Sequence, residues 1–245
     1  LAALKAGLTP NPDVLCNREI KFGDCLRHAQ RLGARWLATG HYARIVQGAD
    51  GAELHKGVDP GKDQSYFLHA VKREAFAHAL MPLGDMHKPQ VRELAQQAGL
   101  PVADKRDSTG ICFIGERPFR EFLQQFVPHS PGPIVSVDGE RLGEHVGLPF
   151  YTLGQRGGIG IGGLRGGSGD AWYVVAKRTE DNTLVVAQGA DHPALFCRAL
   201  LAGPVNWLCA GPPPDGELAV RLRYRQPDQA ARVTPRGDGM VEIEP

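Results

Sequence analysis

Cysteine is scarce in this chain and long apolar runs are missing. The 245 residues hold five cysteines and no C-x-x-C pair, so neither the disulfide framework of a small secreted protein nor a structural zinc site is expected. No apolar run reaches the ~18 residues of a membrane-spanning helix, and the first residues do not resemble a secretory signal. We therefore expect a cytoplasmic protein with no membrane partner and no protein-bound metal.

An excess of charge of either sign is also missing. Lys and Arg number 28 against 27 Asp and Glu, which excludes a uniformly basic coat for nucleic acid but leaves room for a local basic groove. Hydrophobic residues make up 42% and charged residues 22% of the chain, as is typical of globular proteins. The 31 glycines and 19 prolines predict many turns and a substantial β component.

Hydrophobic periodicity divides the chain into an α/β part and a β-rich part. Helical spacing predicts helices over 17–35, 64–80, 88–99 and 117–127, with a short buried strand at 36–39. Cys25 lies in the apolar stripe of the first helix and is expected in the core. Strands are predicted at 134–137, 150–153, 172–176, 184–187, 220–225 and from 241 onward. We place domains at 1–116 (α/β), 117–196 (β-rich) and 197–245 (β).

Two cysteines occur in loop-like surroundings. Cys16 ends the run T-P-N-P-D-V-L-C and precedes a predicted helix, where unpaired N–H groups would stabilise a thiolate. Cys112 lies between Gly110 and Gly115, just after Lys105 and Arg106, whose positive charges would act in the same direction. Each cysteine could equally be a small buried residue. Together the two suggest reversible thiol chemistry.

Three further clusters could contact a nucleotide or RNA. Lys62, Asp63 and Gln64 open a predicted helix, where either phosphate contact or an ordinary Asp N-cap fits. Gly40 and His41 follow the predicted strand, at the end where ligands bind to parallel sheets. The run 154–163 contains G-x-G-x-x-G, but a strand follows it rather than the helix of a dinucleotide fold. A Gly-rich hairpin, or a loop with Arg156 and Arg165 near RNA, fits better.

Six separated motifs combine these clusters into a recognisable pattern. In chain order they are TPNPDVLCN, ATGHYA, GKDQSYFL, STGICFIG, LGQRGGIGIGG and VRLRYRQ. This series resembles the bacterial tRNA-specific 2-thiouridylase family of the PP-loop ATP pyrophosphatase superfamily, over residues 8 to 240. The resemblance implies the remainder of a parallel-sheet PP-loop domain, then a small β-rich central domain and a partial C-terminal β-barrel.

The resemblance also implies a reaction and roles for residues. The family adenylates the C2 carbonyl of uridine 34 in the tRNAs for Lys, Glu and Gln with ATP and Mg, and then transfers sulfur from a protein persulfide. By position, Cys112 is the persulfide carrier and Cys16 the nucleophile that ends in a Cys16–Cys112 disulfide. Asp13 is a candidate proton acceptor. Gly40 corresponds to an ATP contact. The remaining matches are contacts to the target base or to tRNA, namely Asn11, Pro12, Asp13, His41, Lys62, Asp63, Gln64, Arg223 and Tyr224.

The pattern departs from the family at both ends. The S-G-G-x-D-S phosphate loop and the C-terminal P-G-Q segment are not present, so we expect an internal fragment that is inactive alone. A cysteine desulfurase or a sulfur-relay protein is the expected persulfide donor. The alternatives are another PP-loop sulfurtransferase of the 4-thiouridine type and a non-catalytic tRNA-binding fragment. The lack of a C-x-x-C pair disfavours a thiol–disulfide oxidoreductase.

Overall fold

The computed structural model describes residues 7–105, 123–127, 129–161, 169–209, 211 and 216–245. The chain divides into two compact units, one of Leu1–Asn11 with Phe113–Cys197 and one of Pro12–Cys112 with Arg198–Pro245. The segment predicted as a C-terminal domain thus belongs to the same unit as the predicted α/β domain. The domain boundaries drawn from the sequence stay predictions.

The larger unit begins with a run of helical backbone in three parts: α1 (Pro12–Leu15), a π-helix (Cys16–Cys25) and α2 (Leu26–Arg31). The predicted helix 17–35 starts too late and ends too late. Proline has no N–H to leave unpaired in a first turn, and the acidic Asp13 favours a helix start there. Gly33 adopts a φ of +89° just after the end, the left-handed conformation that commonly terminates helices.

Short strands and one longer helix follow. Strand β1 (Leu37–Ala38) confirms a strand within 36–39 and pairs in parallel with β4 (Ala79–Leu80), but the predicted burial is wrong, since Leu37 is half-buried and Ala38 exposed. Strands β2 (Ala43–Gly48) and β3 (Gly51–Lys56) form a hairpin that the sequence reading missed. Helix α4 (Lys88–Gln97) confirms the prediction over 88–99, with Pro89 in its first turn and a capping box of His87 and Gln90.

The long helix predicted over 64–80 is wrong. The structure has a 3₁₀ turn (Ser65–Leu68), the one-turn helix α3 (Arg73–Phe76) and strand β4. The Asn206 side chain donates from Nδ2 to the carbonyls of His69 (2.7 Å) and Val71 (2.8 Å). These carbonyls are therefore bound from outside the segment, and Leu68, Val71 and Phe76 reach the core without a continuous helix.

Four strands from the C-terminal segment complete this unit. Strands β9 (Leu200–Ala202), β10 (Gly216–Val220), β11 (Gln229–Pro235) and β12 (Val241–Glu244) form an antiparallel sheet in the order β10-β11-β12-β9. The strand predicted over 220–225 is wrong beyond Val220. Arg225 has a φ of +67°, a left-handed conformation that interrupts an extended strand.

The smaller unit contains a four-stranded sheet in the order β6-β5-β8-β7. Its strands are β5 (Gly132–Ser136), β6 (Arg141–His145), β7 (Trp172–Arg178) and β8 (Thr183–Gln188), which confirms three of the predicted strands. Short 3₁₀ turns occur at Leu148–Phe150 and Pro193–Leu195. The strand predicted over 150–153 is wrong: Tyr151 directly follows the first of these turns and packs in the core beside Ile134 and Val174.

Each unit has its own apolar core. In the larger unit, Phe22, Leu68 and Phe76 anchor one cluster, while Val233 and Val241 anchor a second within the C-terminal sheet. Cys25, predicted in the core, is exposed, because the π-helical winding shifts the face that it occupies. The predicted helix 117–127 lies mostly outside the described residues. No helix of the described ranges is both long and apolar enough to span a membrane.

A substitution at Gly57 tests the close packing of its backbone against the backbone of Tyr42. A Cβ added at Gly57 would lie 2.6 Å from the Tyr42 carbonyl oxygen, whereas one added at Gly61 would meet nothing closer than 3.4 Å. We expect Gly57→Ala to lower the free energy of unfolding by about 1–3 kcal/mol, as overpacking does. Gly61→Ala, in the same loop, is the control. Equal unfolding midpoints in urea for the two variants would contradict this packing.

Candidate active site and RNA interface

Cys16 lies one helical turn after Pro12 and is buried. The expectation that it stands at a helix N-terminus is wrong, because the unpaired N–H groups of the first turn belong to residues nearer Pro12. Asp13 is in that first turn. Residues three apart are neighbours on one helix face, so Asp13 and Cys16 share a face.

Asn17 is a residue of this region that the sequence reading did not select. Its side chain is 2% exposed, and its Nδ2 donates to the Phe67 carbonyl at 3.1 Å. This bond ties the helix that carries Cys16 to the 3₁₀ turn Ser65–Leu68. The Asn17 Oδ1 atom is buried and has no hydrogen-bond partner among the described residues, so the site has an acceptor for an N–H or O–H group. The sequence signal that points to Asn17 is its position directly after Cys16.

Gln64 connects the same turn to the chain segment of His41. Its Oε1 accepts from the Tyr42 N–H at 3.0 Å, and its own N–H donates to the Tyr42 carbonyl at 2.9 Å. This reciprocal pair fixes Tyr42, whose buried ring lies under the Lys88 ammonium at 5.5 Å. The predicted tRNA contact Gln64 is thus also a structural tie.

His41 is nearly buried, at 7% exposed. Its Nδ1 is 2.8 Å from the Thr39 hydroxyl, and its ring centroid is 6.0 Å from that of Phe22. Burial, with a smaller effect of the Lys21 charge, lowers the pKa of His41 from 6.5 to about 4. His41 is therefore neutral at pH 7 and suited to hydrogen bonding or ring contact rather than to neutralising a phosphate.

Gly40 lies exposed at the carboxyl end of β1. A Cβ built there would meet only the Leu83 side chain, at 3.8 Å, within 4 Å among the described residues. The backbone at Gly40 is therefore accessible to a ligand, as a nucleotide contact at the end of a parallel strand requires.

Asp63 is buried at 5% exposed and organises its loop. Its Oδ1 accepts from the N–H groups of Gly57 (3.1 Å) and Ser65 (3.2 Å), and its Oδ2 accepts from the Ser65 hydroxyl at 3.0 Å. Beside it, the Lys62 N–H donates to the Asp59 carbonyl at 3.0 Å. The backbone N–H of Lys88 and then that of Gly61 hold the pKa of the Asp59 carboxyl below its ordinary value.

The C-terminal segment packs against the 3₁₀ turn Ser65–Leu68 within the same unit. The Tyr224 ring lies 4.4 Å from that of Phe67 and 6.0 Å from that of Tyr66, and the Tyr66 hydroxyl donates to the Leu222 carbonyl at 3.3 Å. The Arg225 guanidinium lies over Tyr224 at 5.5 Å. The structure thus brings Arg223 and Tyr224 to the loop of Lys62, Asp63 and Gln64.

Some predicted site residues fall outside this arrangement. Cys112 lies outside the described residues, so its pairing with Cys16 stays a prediction. Asn11 belongs to the smaller unit, whereas Pro12 opens α1 in the larger one. Over the described ranges, no group of three or more His, Cys, Asp or Glu side chains is placed to hold a metal ion.

The sequence of this chain is similar to known proteins. Residues 1–116 match a family model described as the tRNA methyl transferase HUP domain, and residues 120–188 match its PRC-barrel domain. The tRNA-specific 2-thiouridylase of Cupriavidus pinatubonensis is 55% identical over 245 residues, which cover 99% of this chain and 68% of that protein. The chain belongs to the tRNA-specific 2-thiouridylase family.

Two further members of the family agree. The enzyme of Ralstonia nicotianae is 55% identical over 98% of this chain, and that of Idiomarina loihiensis is 51% identical over 100%. In both cases the match covers 66% of the relative. The chain thus spans about two thirds of the length of the curated relatives that it matches.

The lowered pKa of His41 predicts a specific pH dependence of stability. Because the folded state holds His41 neutral, the unfolded chain binds the extra proton first as the pH falls below 6.5. Stability from this group is present above pH 6.5 and is lost toward pH 4, by up to about 3 kcal/mol. We expect the pH dependence of unfolding to be shallower in His41→Gln over this range.

His28→Gln is the matched control, because His28 is exposed on α2. Unfolding in urea at a series of pH values, compared between each variant and the wild type, isolates the His41 contribution from that of the carboxylates. A wild-type slope retained in His41→Gln would rule out a buried neutral imidazole.

Proposed function

We propose that the full-length protein containing this chain replaces the C2 oxygen of uridine 34 with sulfur in the tRNAs for Lys, Glu and Gln. The relatives described above are tRNA-specific 2-thiouridylases, which supports this activity. The observation that carries it is the position of the buried Cys16 on a helix that Asn17 ties to the turn of Gln64 and Phe67. One structural element therefore links a nucleophilic thiol to the proposed RNA surface.

The chemistry requires two thiols. ATP supplies an adenylyl group to the C2 oxygen and releases pyrophosphate, which turns a poor leaving group into AMP. The terminal sulfur of the Cys112 persulfide attacks C2, and AMP departs. The Cys16 thiolate then attacks Cys112 Sγ, leaving the transferred sulfur on C2 and forming a Cys16–Cys112 disulfide. A dithiol reductant returns both cysteines to thiols with two electrons.

The other residues would bind and orient the base. Asp13, on the helix face of Cys16, would accept the proton released at the base, with Asn11 and Pro12 beside the same base. The neutral His41 ring and the buried Asn17 Oδ1 would meet the nucleotide by contacts that need no charge. Lys62, Gln64, Arg223 and Tyr224 would hold the surrounding RNA, since phosphate contacts position the substrate and ring contacts stack its bases.

ATP is proposed as a co-substrate with Mg. The open backbone at Gly40 fits a nucleotide contact at the end of β1. A cysteine desulfurase or a relay protein that hands a persulfide to Cys112 is the proposed sulfur source. The localisation that goes with these partners is the cytoplasm.

The two-thiol proposal is tested in the full-length protein with Cys112→Ser, Cys16→Ser and the control Cys25→Ser. We expect Cys112→Ser to abolish persulfide loading and thiolation. Cys16→Ser should load a persulfide on Cys112 but lose multiple-turnover thiolation by at least about 10²-fold, because the nucleophile is missing. Cys25 is exposed, and its variant should retain full activity.

The product is measured by mass spectrometry of nucleosides from the three tRNAs and from a tRNA with no uridine at position 34. Sulfur at position 34 of the three tRNAs alone supports the proposal. A methylated nucleoside, which the name of the matching family model suggests, or 4-thiouridine would assign a different reaction. Tight tRNA binding without any modification would favour the binding-fragment alternative.

A further inference from the structure

Arg221 differs from the two arginines that follow it. Period-2 spacing in V-R-L-R-Y-R would place all three on one face of a continuous strand, but the strand ends at Val220. The Arg221 side chain is 22% exposed, while Arg223 and Arg225 are exposed residues. The end of the strand therefore separates one inward-facing arginine from two outward-facing ones.

The guanidinium of Arg221 connects two carboxylates. Its Nη2 lies 2.8 Å and its Nε 3.0 Å from Asp228 Oδ1, and its Nη1 lies 3.5 Å from Asp63 Oδ2. Lys56 also pairs with Asp228. The Lys56 ammonium and then the Arg221 guanidinium hold the pKa of Asp228 below its ordinary value. This pairing closes the segment 221–228 and attaches it to the loop of Asp63.

The buried carboxylate of Asp63 makes this attachment energetically important. At 5% exposed it has lost most of its hydration, and a buried ion needs both hydrogen bonds and a charge partner. The Gly57 and Ser65 donors are neutral, so Arg221 brings a positive charge to this site. A planar guanidinium can serve two carboxylates at once, whereas a lysine ammonium lacks that fork.

We propose that Arg221 is a positioning residue that holds the Arg223–Tyr224 segment against the Lys62–Gln64 loop, so that both act as one RNA-binding surface. This inference rests on the proposed function. Arg223 lies between the carboxylate bridge of Arg221 and the Tyr224 contacts with Tyr66 and Phe67, so the segment is anchored on both sides of it. We expect loss of the Arg221 bridge to loosen Arg223 and Tyr224 together, with the Tyr224 ring contacts as the remaining attachment.

A double-mutant cycle of tRNA binding tests this coupling in the full-length protein. The variants are Arg221→Met, Arg223→Ala and the two combined. Methionine replaces the unbranched aliphatic part of the arginine side chain and lacks the guanidinium. We expect each single change to weaken binding about tenfold, a typical size for coupled pairs. In the Arg221→Met background, Arg223→Ala should cost less than about twofold. The salt dependence of the double variant should equal that of either single variant.

Two more variants separate positioning from charge. Asp228→Asn removes a negative charge near the proposed RNA surface, so simple electrostatics predicts equal or tighter tRNA binding. Positioning predicts weaker binding, because Arg221 loses its closest partner. Arg221→Lys, which keeps the charge without the fork, should restore only part of the affinity. Arg236→Ala, whose exposed ion pair with Glu242 lies elsewhere in the C-terminal sheet, is the control and should bind normally.

The outcomes distinguish this inference from the proposed function. If the wild type binds and thiolates tRNA but the cycle is additive, with tighter binding by Asp228→Asn, the positioning role is overturned. If the wild type neither binds nor modifies tRNA, the proposed function itself fails. Melting temperatures of all variants check folding, and the Asp228→Asn result decides the positioning role should Arg221→Met fail to fold.

Discussion

The buried carboxylate of Asp63 is the interaction on which the candidate site depends. A charge that is 5% exposed is tolerated only where donors replace the lost water. Those donors come from the end of the β2–β3 hairpin at Gly57, from the 3₁₀ turn at Ser65 and from Arg221 of the C-terminal segment. The local loop around Asp63 and a segment 158 residues away along the chain therefore meet at this carboxylate.

The turn next to Asp63 connects this arrangement to Cys16, the proposed nucleophile. Gln64 binds the backbone of Tyr42 on both sides, the Phe67 carbonyl accepts from Asn17, and the Phe67 ring meets Tyr224. One short turn therefore contacts three segments of the chain: the helix of Cys16, the segment of His41 and the C-terminal segment that carries the arginines. Such convergence of contacts is what the proposed catalytic groups would need to be held in place.

The sequence predicts those features that depend on local spacing. Strands at 36–39, 172–176 and 184–187 and the helix over 88–99 follow from periodicity, and the motifs identify the residues that converge. Local spacing does not predict features that depend on distant partners. One is the binding of the His69 and Val71 carbonyls by Asn206. Another is the inward orientation of Arg221 toward Asp63 and Asp228. Periodicity also gave no sign of the π-helical winding that exposes Cys25 and buries Asn17.

The distribution of charges at this surface shows how a chain of nearly neutral net charge could bind RNA. A formal net charge of +1 leaves RNA affinity to local patches, yet Asp59, Asp63 and Asp228 all lie beside the proposed interface. Each of these carboxylates is bound internally, by backbone N–H groups, by Ser65 or by Lys56 and Arg221. These carboxylates therefore stabilise the loop, and their internal partners offset the repulsion that they would exert on phosphate. The exposed Arg223 and Arg225 contribute positive charge to the same surface. Under the proposed function, recognition would depend on geometry more than on total charge, because this surface would present one base to the buried Cys16 thiol.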